Sequence, residues 1–230
     1  MKTIGLLGGM SWESSLEYYR VINRVIRARL GGFHSAKVLM YSFDFAEIES
    51  LQNRGDWREA GHLLGEAALN LETAGADMIV IATNTMHKLA EKVESRINIP
   101  LLHIVDTTAL EIQRLKISKV GLIGTRFTME EDFYRNRLKL KYDIETITPD
   151  KAGRMNLHNL LYDSRALEEV KLDAREPFID IIESLVMQGA EGVILGCTEI
   201  PLMIYAEDFS VPLLDTTRIH AEAAADFALS

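Results

Sequence analysis

Two stretches decide the fold: Thr3-Ile4-Gly5-Leu6-Leu7-Gly8-Gly9, and Lys119-Val120-Gly121-Leu122-Ile123-Gly124. Each is a short apolar run closed by glycine, the pattern of a buried strand running into a tight turn. Their final matched glycines, Gly8 and Gly124, lie 116 positions apart. Two further pairs follow in the same order. Ala74-Gly75-Ala76-Asp77-Met78-Ile79-Val80-Ile81-Ala82-Thr83 matches Gln188-Gly189-Ala190-Glu191-Gly192-Val193-Ile194-Leu195-Gly196-Cys197 at an offset of 114. Ile99-Pro100-Leu101-Leu102 matches Val211-Pro212-Leu213-Leu214 at 112, and each is followed by Asp-Thr-Thr, at Asp106-Thr107-Thr108 and Asp215-Thr216-Thr217. Three matched blocks, in one order and at nearly constant offset, read as the same unit present twice.

Outward from these blocks, strands alternate with helices. The spacing predicts strands over Thr3–Leu7, Lys37–Phe43, Met78–Ala82 and Pro100–Val105, then Lys119–Ile123, Asp143–Ile147, Gly192–Leu195 and Leu213-Leu214. Helices are predicted over Trp12–Leu30, Trp57–Thr73, Met86–Arg96, Thr108–Leu115, Met129–Leu140, Met155–Tyr162, Ala174–Gln188 and Arg218–Ala228, with Glu49–Arg54 as a loop. Such alternation implies a mostly parallel sheet with helices on both faces. The expected fold is α/β: two similar parallel-sheet halves related by pseudo-twofold symmetry, with the active site in the cleft between them. The halves are expected at 1–105 and 106–214, the terminal helix over 215–230 packing back on the first.

The chain has 230 residues, with 25 Lys+Arg against 34 Asp+Glu and a net charge of −9. That size suits one large domain or two small ones. The acidic balance argues against a nucleic-acid partner, which would call for a basic face, but an anionic small molecule can still bind at helix N-termini. The single cysteine, Cys197, excludes an internal disulfide and suggests a reducing, cytoplasmic setting. No signal peptide is read at the start of the chain, no apolar stretch has the length of a membrane span, and no histidine pair has zinc-site spacing. No membrane partner and no metal are expected.

The duplication has a chemical consequence. Ligands of open parallel sheets bind beyond the carboxyl ends of the strands, and Thr83 and Cys197 stand there at equivalent positions. Asn84-Thr85 and Thr198-Glu199 follow, each leading into a helix whose first amides suit a carboxylate. Two groups on opposite faces of one carbon remove a proton from one side and return it to the other, a two-base epimerisation. Helix N-terminal amides favour a thiolate, so Cys197 is the expected base. The Thr83 hydroxyl is a far weaker acid and is expected to act as proton donor.

Gly5-Leu6-Leu7-Gly8-Gly9-Met10-Ser11-Trp12, Asn84-Thr85-Met86-His87, Gly196-Cys197-Thr198-Glu199-Ile200 and Pro212-Leu213-Leu214-Asp215-Thr216 together resemble the aspartate/glutamate racemases that need no pyridoxal phosphate. The likeness spans essentially the whole chain. Family members usually carry a cysteine before each of Asn-Thr and Thr-Glu. Here the first is Thr83, which resembles the subgroup with a Thr/Cys pair, specific for L-aspartate and L-glutamate. The resemblance implies an isomerase without cofactor, an amino-acid substrate and a homodimer. It implies substrate contacts from Met10, Gln52, Asn84, Thr85, Thr125 and Thr198, and that Cys197 serves the L-enantiomer. Aspartate racemases often carry a lysine after the helix ending here near Tyr162; Leu167 stands near that place, with Arg165 as a substitute and Gln52 and Arg54 in the earlier loop.

Plainer readings stand beside each of these. Thr83, Asn84 and Thr85 also suit helix caps, and Met10 suits core packing. Gly8-Gly9 departs from the dinucleotide pattern and reads as a tight turn. His87 either tunes Thr83 or lies on a solvated helix face, while His103 and His220 read as structural. Lys139-Leu140-Lys141 and Glu168-Glu169 read as solvated faces. A broader or neutral amino-acid range stays open beside the acidic substrate, and rival activities are a maleate isomerase, an arylmalonate decarboxylase, a hydantoin racemase, or a non-catalytic amino-acid sensor.

Overall fold

In the computed structural model, residues 1–162, 175–198 and 200–230 are described. Strands β1 (Thr3–Gly8), β2 (Lys37–Ser42), β3 (Met78–Ile81) and β4 (Leu101–Leu102) form a parallel sheet in the order β2-β1-β3-β4. Strands β5 (Lys119–Gly124), β6 (Glu145–Ile147), β7 (Val193–Gly196) and β8 (Leu213–Asp215) form a second, in the order β6-β5-β7-β8. The two orders are the same pattern, so the internal repeat of the sequence is also a repeat of topology. The described residues fall into two units, 1–104 with 217–230, and 105–216.

In the first unit the sheet is covered on both faces. Period-two alternation sends Ile4, Leu6, Met78 and Val80 to one side and Leu7, Ile79 and Ile81 to the other. The first set meets Tyr18, Ile22 and Ile26 of helix α1 (Trp12–Leu30) and the alanines Ala221, Ala224, Ala225 and Ala228 of the C-terminal helix. The second set meets Ile48 and Leu51, then Leu64, Ala68 and Leu71. Those residues belong to α2 (Phe45–Arg54) and α3 (Trp57–Thr73).

Helix α2 corrects the expectation of a loop over Glu49–Arg54. Its sequence carries both boundary signals. The Asp44 side chain accepts from the Ala46 amide at 3.1 Å, and Gly55 closes the helix in the left-handed region at φ 70°. The run predicted as one helix over Met86–Arg96 is a 3₁₀ turn, Thr85–Leu89, followed by α4 (Ala90–Glu94). The edge strand β4 pairs only through Leu101 and Leu102, and α5 (Ile104–Arg114) begins at once. Asp106-Thr107-Thr108 therefore lies inside a helix, earlier than the predicted start at Thr108.

In the second unit α6 (Arg126–Glu130) and α7 (Asp132–Tyr142) replace a single predicted helix, because Glu131 between them is extended at φ −84°, ψ 151°. Helices α8 (Lys151–Tyr162) and α9 (Glu176–Met187) bring Leu157, Leu161, Phe178, Ile182 and Leu185 against Ile123, Val193 and Leu195. The last helix, α10, spans Thr216–Leu229. Ala174, where the long helix was predicted to begin, lies outside the described residues, as do Arg165, Leu167, Glu168, Glu169 and Glu199. Among the described residues no helix is long and apolar enough to cross a membrane.

Candidate functional site

Strand register places the candidate residues within each unit. In the first unit Leu7 pairs with Ile81; two steps further on, the same register sets Gly9 level with Thr83. In the second, Gly124 pairs with Gly196; one step on sets Thr125 level with Cys197. Thr83 and Cys197 thus occupy the same place beyond the carboxyl ends of the central strands β3 and β7.

In the first unit the turn after β1 is tightly held. Gly9 adopts φ 83°, and a Cβ there would run into the Phe43 backbone. The Gly9 amide donates to Ser15 Oγ at 2.8 Å, and Ser15 Oγ donates to the Ser11 carbonyl at 3.0 Å. Met10, between these anchors, is buried with the core around Leu7, Leu51 and Met86. Gln52 of α2 is also buried; its Nε2 donates to Met86 Sδ at 3.1 Å, while its Oε1 has no partner among the described residues. Met10 and Gln52 thus both belong to the packing around Met86. Thr83 itself is half-buried, whereas Asn84 and Thr85 are buried. Neither Asn84 nor Thr125 caps its following helix through its side chain.

His87 is buried, which removes the reading of a solvated helix face. Its Nδ1 lies 2.8 Å from the Thr83 carbonyl, and its Nε2 accepts from the Ile104 amide at 3.2 Å. The His103 ring meets that of His87 at a tilt, 4.7 Å between ring centroids and 57° between planes, and the His220 ring meets it edge-on at 5.5 Å. Burial, first, and then the neighbouring His87 push the His220 imidazole down to about 3, although its bond to the Leu102 carbonyl opposes the shift.

In the second unit the approach of β5 to β7 is set by glycine. A Cβ on Gly124 would lie 2.9 Å from the Gly196 carbonyl oxygen. Cys197 and Thr198 follow Gly196 and are half-buried; the Cys197 carbonyl accepts from the Ile200 amide at 3.3 Å. Thr125 is buried, with its Oγ1 3.4 Å from Thr128 Oγ1. From the Asp-Thr-Thr segment, Thr216 Oγ1 donates to the Leu195 carbonyl at 2.8 Å, bracing β7 two residues before Cys197.

Nothing in the local sequence marks His158, 32 positions from its partner. Its Nδ1 accepts from the Arg126 amide at 3.5 Å, and its ring meets Phe127 and Tyr162. Burial and the Arg126 charge hold its pKa below the ordinary histidine value. The lysines read as a solvated face are exposed, and each also forms an ion pair: Lys139 with Asp143, and Lys141 with Asp106 at 2.7 Å. Asp106 also takes a bidentate contact from Arg137 at 2.6 and 2.8 Å. Among the described residues no group of three His, Cys, Asp or Glu side chains is placed to hold a metal ion.

Residues 7–224 match the model of the Asp/Glu/hydantoin racemase family. The chain belongs to that family. Membership places it among enzymes, the racemases being isomerases. A protein from Yersinia pestis, proposed to be an Asp/Glu racemase, is 52% identical with a TM-score of 0.94, and the match covers 100% of both chains. An aspartate racemase homologue from Pyrococcus horikoshii is 35% identical with a TM-score of 0.87, again over 100% of both chains. The broad-specificity amino-acid racemase RacX of Bacillus subtilis is 23% identical over 69% of this chain and 67% of its own.

Proposed function

We propose that this enzyme is a cofactor-independent racemase of aspartate and glutamate, working by two-base proton transfer at Cα. The observation that carries the reading is the equivalence of Thr83 and Cys197, one beyond each central strand of two sheets with the same strand order. Family membership supports the reaction class. The likeness to the Pyrococcus aspartate racemase homologue supports an acidic substrate.

The chemistry requires one of these residues on each face of the substrate's Cα. The Cys197 thiolate takes the Cα proton of the L-enantiomer, and the Thr83 hydroxyl donates a proton to the opposite face. Deprotonation leaves a carbanion stabilised as an enediolate, and each turnover moves one proton on and one off, so no redox partner is needed. Asn84, Thr85, Thr125 and Thr198 supply short polar side chains around the reacting carbon, Met10 a wall, and the buried Gln52 Oε1 an acceptor. Because racemisation has an equilibrium constant of one, kcat/KM is the same in both directions; only kcat and KM separately differ.

The reading includes a homodimer and a reducing cytoplasmic setting. Exposed apolar side chains along α1 and the edge strand β2, among them Trp12, Leu16, Tyr19, Met40 and Tyr41, support self-association. A single thiol that must remain reduced to act as base supports the compartment.

Proton NMR in D2O, without added pyridoxal phosphate, tests the reaction. The expected result is loss of the Cα–H signal of L-aspartate or L-glutamate, with the D-enantiomer appearing on chiral chromatography. Ligand-induced stabilisation without any exchange would instead indicate an amino-acid sensor.

A further inference from the structure

Four hydrogen bonds in the first unit form a directed chain that ends at Thr83. The hydroxyl of Tyr18, fully buried on α1, lies 2.8 Å from His220 Nδ1. His220 Nε2 lies 2.9 Å from the Leu102 carbonyl. Two residues on, the Ile104 amide donates to His87 Nε2, and His87 Nδ1 faces the Thr83 carbonyl at 2.8 Å. The tautomers follow from partners that have no choice of role. A carbonyl only accepts, so His220 carries its proton on Nε2 and receives the Tyr18 hydroxyl proton at Nδ1. A backbone amide only donates, so His87 Nε2 is bare, and Nδ1 carries the proton that it donates to Thr83.

Both imidazoles are therefore neutral, and both are buried. Burying such a ring costs free energy unless its nitrogens are satisfied, and here both nitrogens of each ring are. The chain links α1, α10 and the end of β4 to one carbonyl, that of Thr83 two residues beyond β3. His103 and His220 both pack against the His87 ring.

We propose that His87 is a positioning residue for Thr83: its neutral imidazole, held at Nε2 by Ile104, donates from Nδ1 to the Thr83 carbonyl and fixes the segment that returns the proton. The role rests on the racemase reading. It predicts a directional fault when it is lost. Cys197 still takes the proton of the L-enantiomer and gives back a solvent deuteron to the same face, while inversion through Thr83 slows.

Two near-isosteric variants separate the two nitrogens. In His87→Asn the amide NH₂ replaces Nδ1–H toward Thr83 and the contact with Ile104 is lost. In His87→Gln the amide oxygen replaces Nε2 toward Ile104 and the donation to Thr83 is lost. With L-aspartate in D2O, His87→Gln is expected to lower D-aspartate formation about tenfold or more, while deuterium entering recovered L-aspartate falls less than about threefold; His87→Asn is expected to keep both within about threefold. Equal losses in the two variants, or exchange and inversion falling together, overturn the role and leave the racemase reading standing. Absence of any exchange by the wild-type enzyme overturns both. Nitrogen-15 shifts of the wild-type imidazole give a test that needs no variant: a neutral Nδ1–H tautomer at neutral pH is expected, and an Nε2–H tautomer or a charged ring overturns the assignment.

Discussion

At the residue scale, the proposed pairing of the Cys197 thiol with the Thr83 hydroxyl is expected to set the kinetics. A thiol ionises near pH 8.5, whereas a threonine hydroxyl stays protonated throughout the accessible range. In the proposed two-base mechanism the D-enantiomer loses its proton to the hydroxyl, so that direction is expected to have the lower kcat. Thr83→Cys installs a better base and is expected to raise kcat from D to L, read by chiral chromatography from each pure enantiomer; an unchanged or lower rate counts against Thr83 as the limiting group. Thr83→Ala separates the rival activities, since a decarboxylase using one thiol would stay active. These residues differ in how legible they are in the sequence. Thr83 and Cys197 stand out because the repeat aligns them, and His87 because it lies one turn further along. His158 does not, because its partner Arg126 is brought to it by the packing of α8 near α6.

At the element scale, the two central strand ends are spaced by what lacks a side chain. Gly124 and Gly196 pair directly, and each Cα would place a Cβ 2.9 Å from a carbonyl oxygen of the facing strand, Gly196 O and Ile123 O. Gly124→Ala is expected to push β5 from β7 at the level of Thr125 and Cys197, costing about 1–3 kcal/mol. The measurement is a lower urea midpoint with an unchanged slope, together with lower activity; a variant as stable as wild type would mean the strands have room. Sequence periodicity locates α1 and α3 to the residue because each has clean boundary signals: Ser11 and Gly31 for one, Asp56 for the other. It misses α2 although Asp44 and Gly55 mark it equally well, because polar Glu47, Glu49, Gln52 and Asn53 dilute the apolar face. The break between α6 and α7 leaves no comparable mark, since any residue can adopt the extended backbone that Glu131 takes.

At the scale of the whole molecule, acid is expected to act through two imidazoles with lowered pKa values, one in each unit, the buried His220 and the half-buried His158. His220 in the first has a folded pKa of about 3, and His158 in the second is lowered as well. An unfolded chain binds their protons near pH 6.5, above the folded values, so the unfolded state holds more protons on the acid side. Stability from these groups is complete above about pH 6.5 and declines as pH falls, for His220 until about pH 3. The contribution of His220 is on the order of a few kcal/mol, since each tenfold change in proton affinity corresponds to about 1.36 kcal/mol. Urea denaturation from pH 7 to pH 4 checks this: the wild-type midpoint should fall with pH, and His220→Gln should fall less steeply. Parallel slopes would remove His220 as a contributor.

The sequence by itself determined the strand–helix alternation, its duplication and the equivalence of Thr83 with Cys197. These follow from local periodicity and from repeated spacing, which need no knowledge of distant contacts. Only the tertiary structure decided that His87, His103 and His220 form one buried cluster behind Thr83. The cluster joins residues 18, 87, 102–104 and 220, and hydrogen-bond partners so far apart are chosen by which strand ends and helix faces meet once the sheet has formed. It likewise decided that Gln52 is buried against Met86, because burial belongs to the packed core and not to the polarity of a side chain.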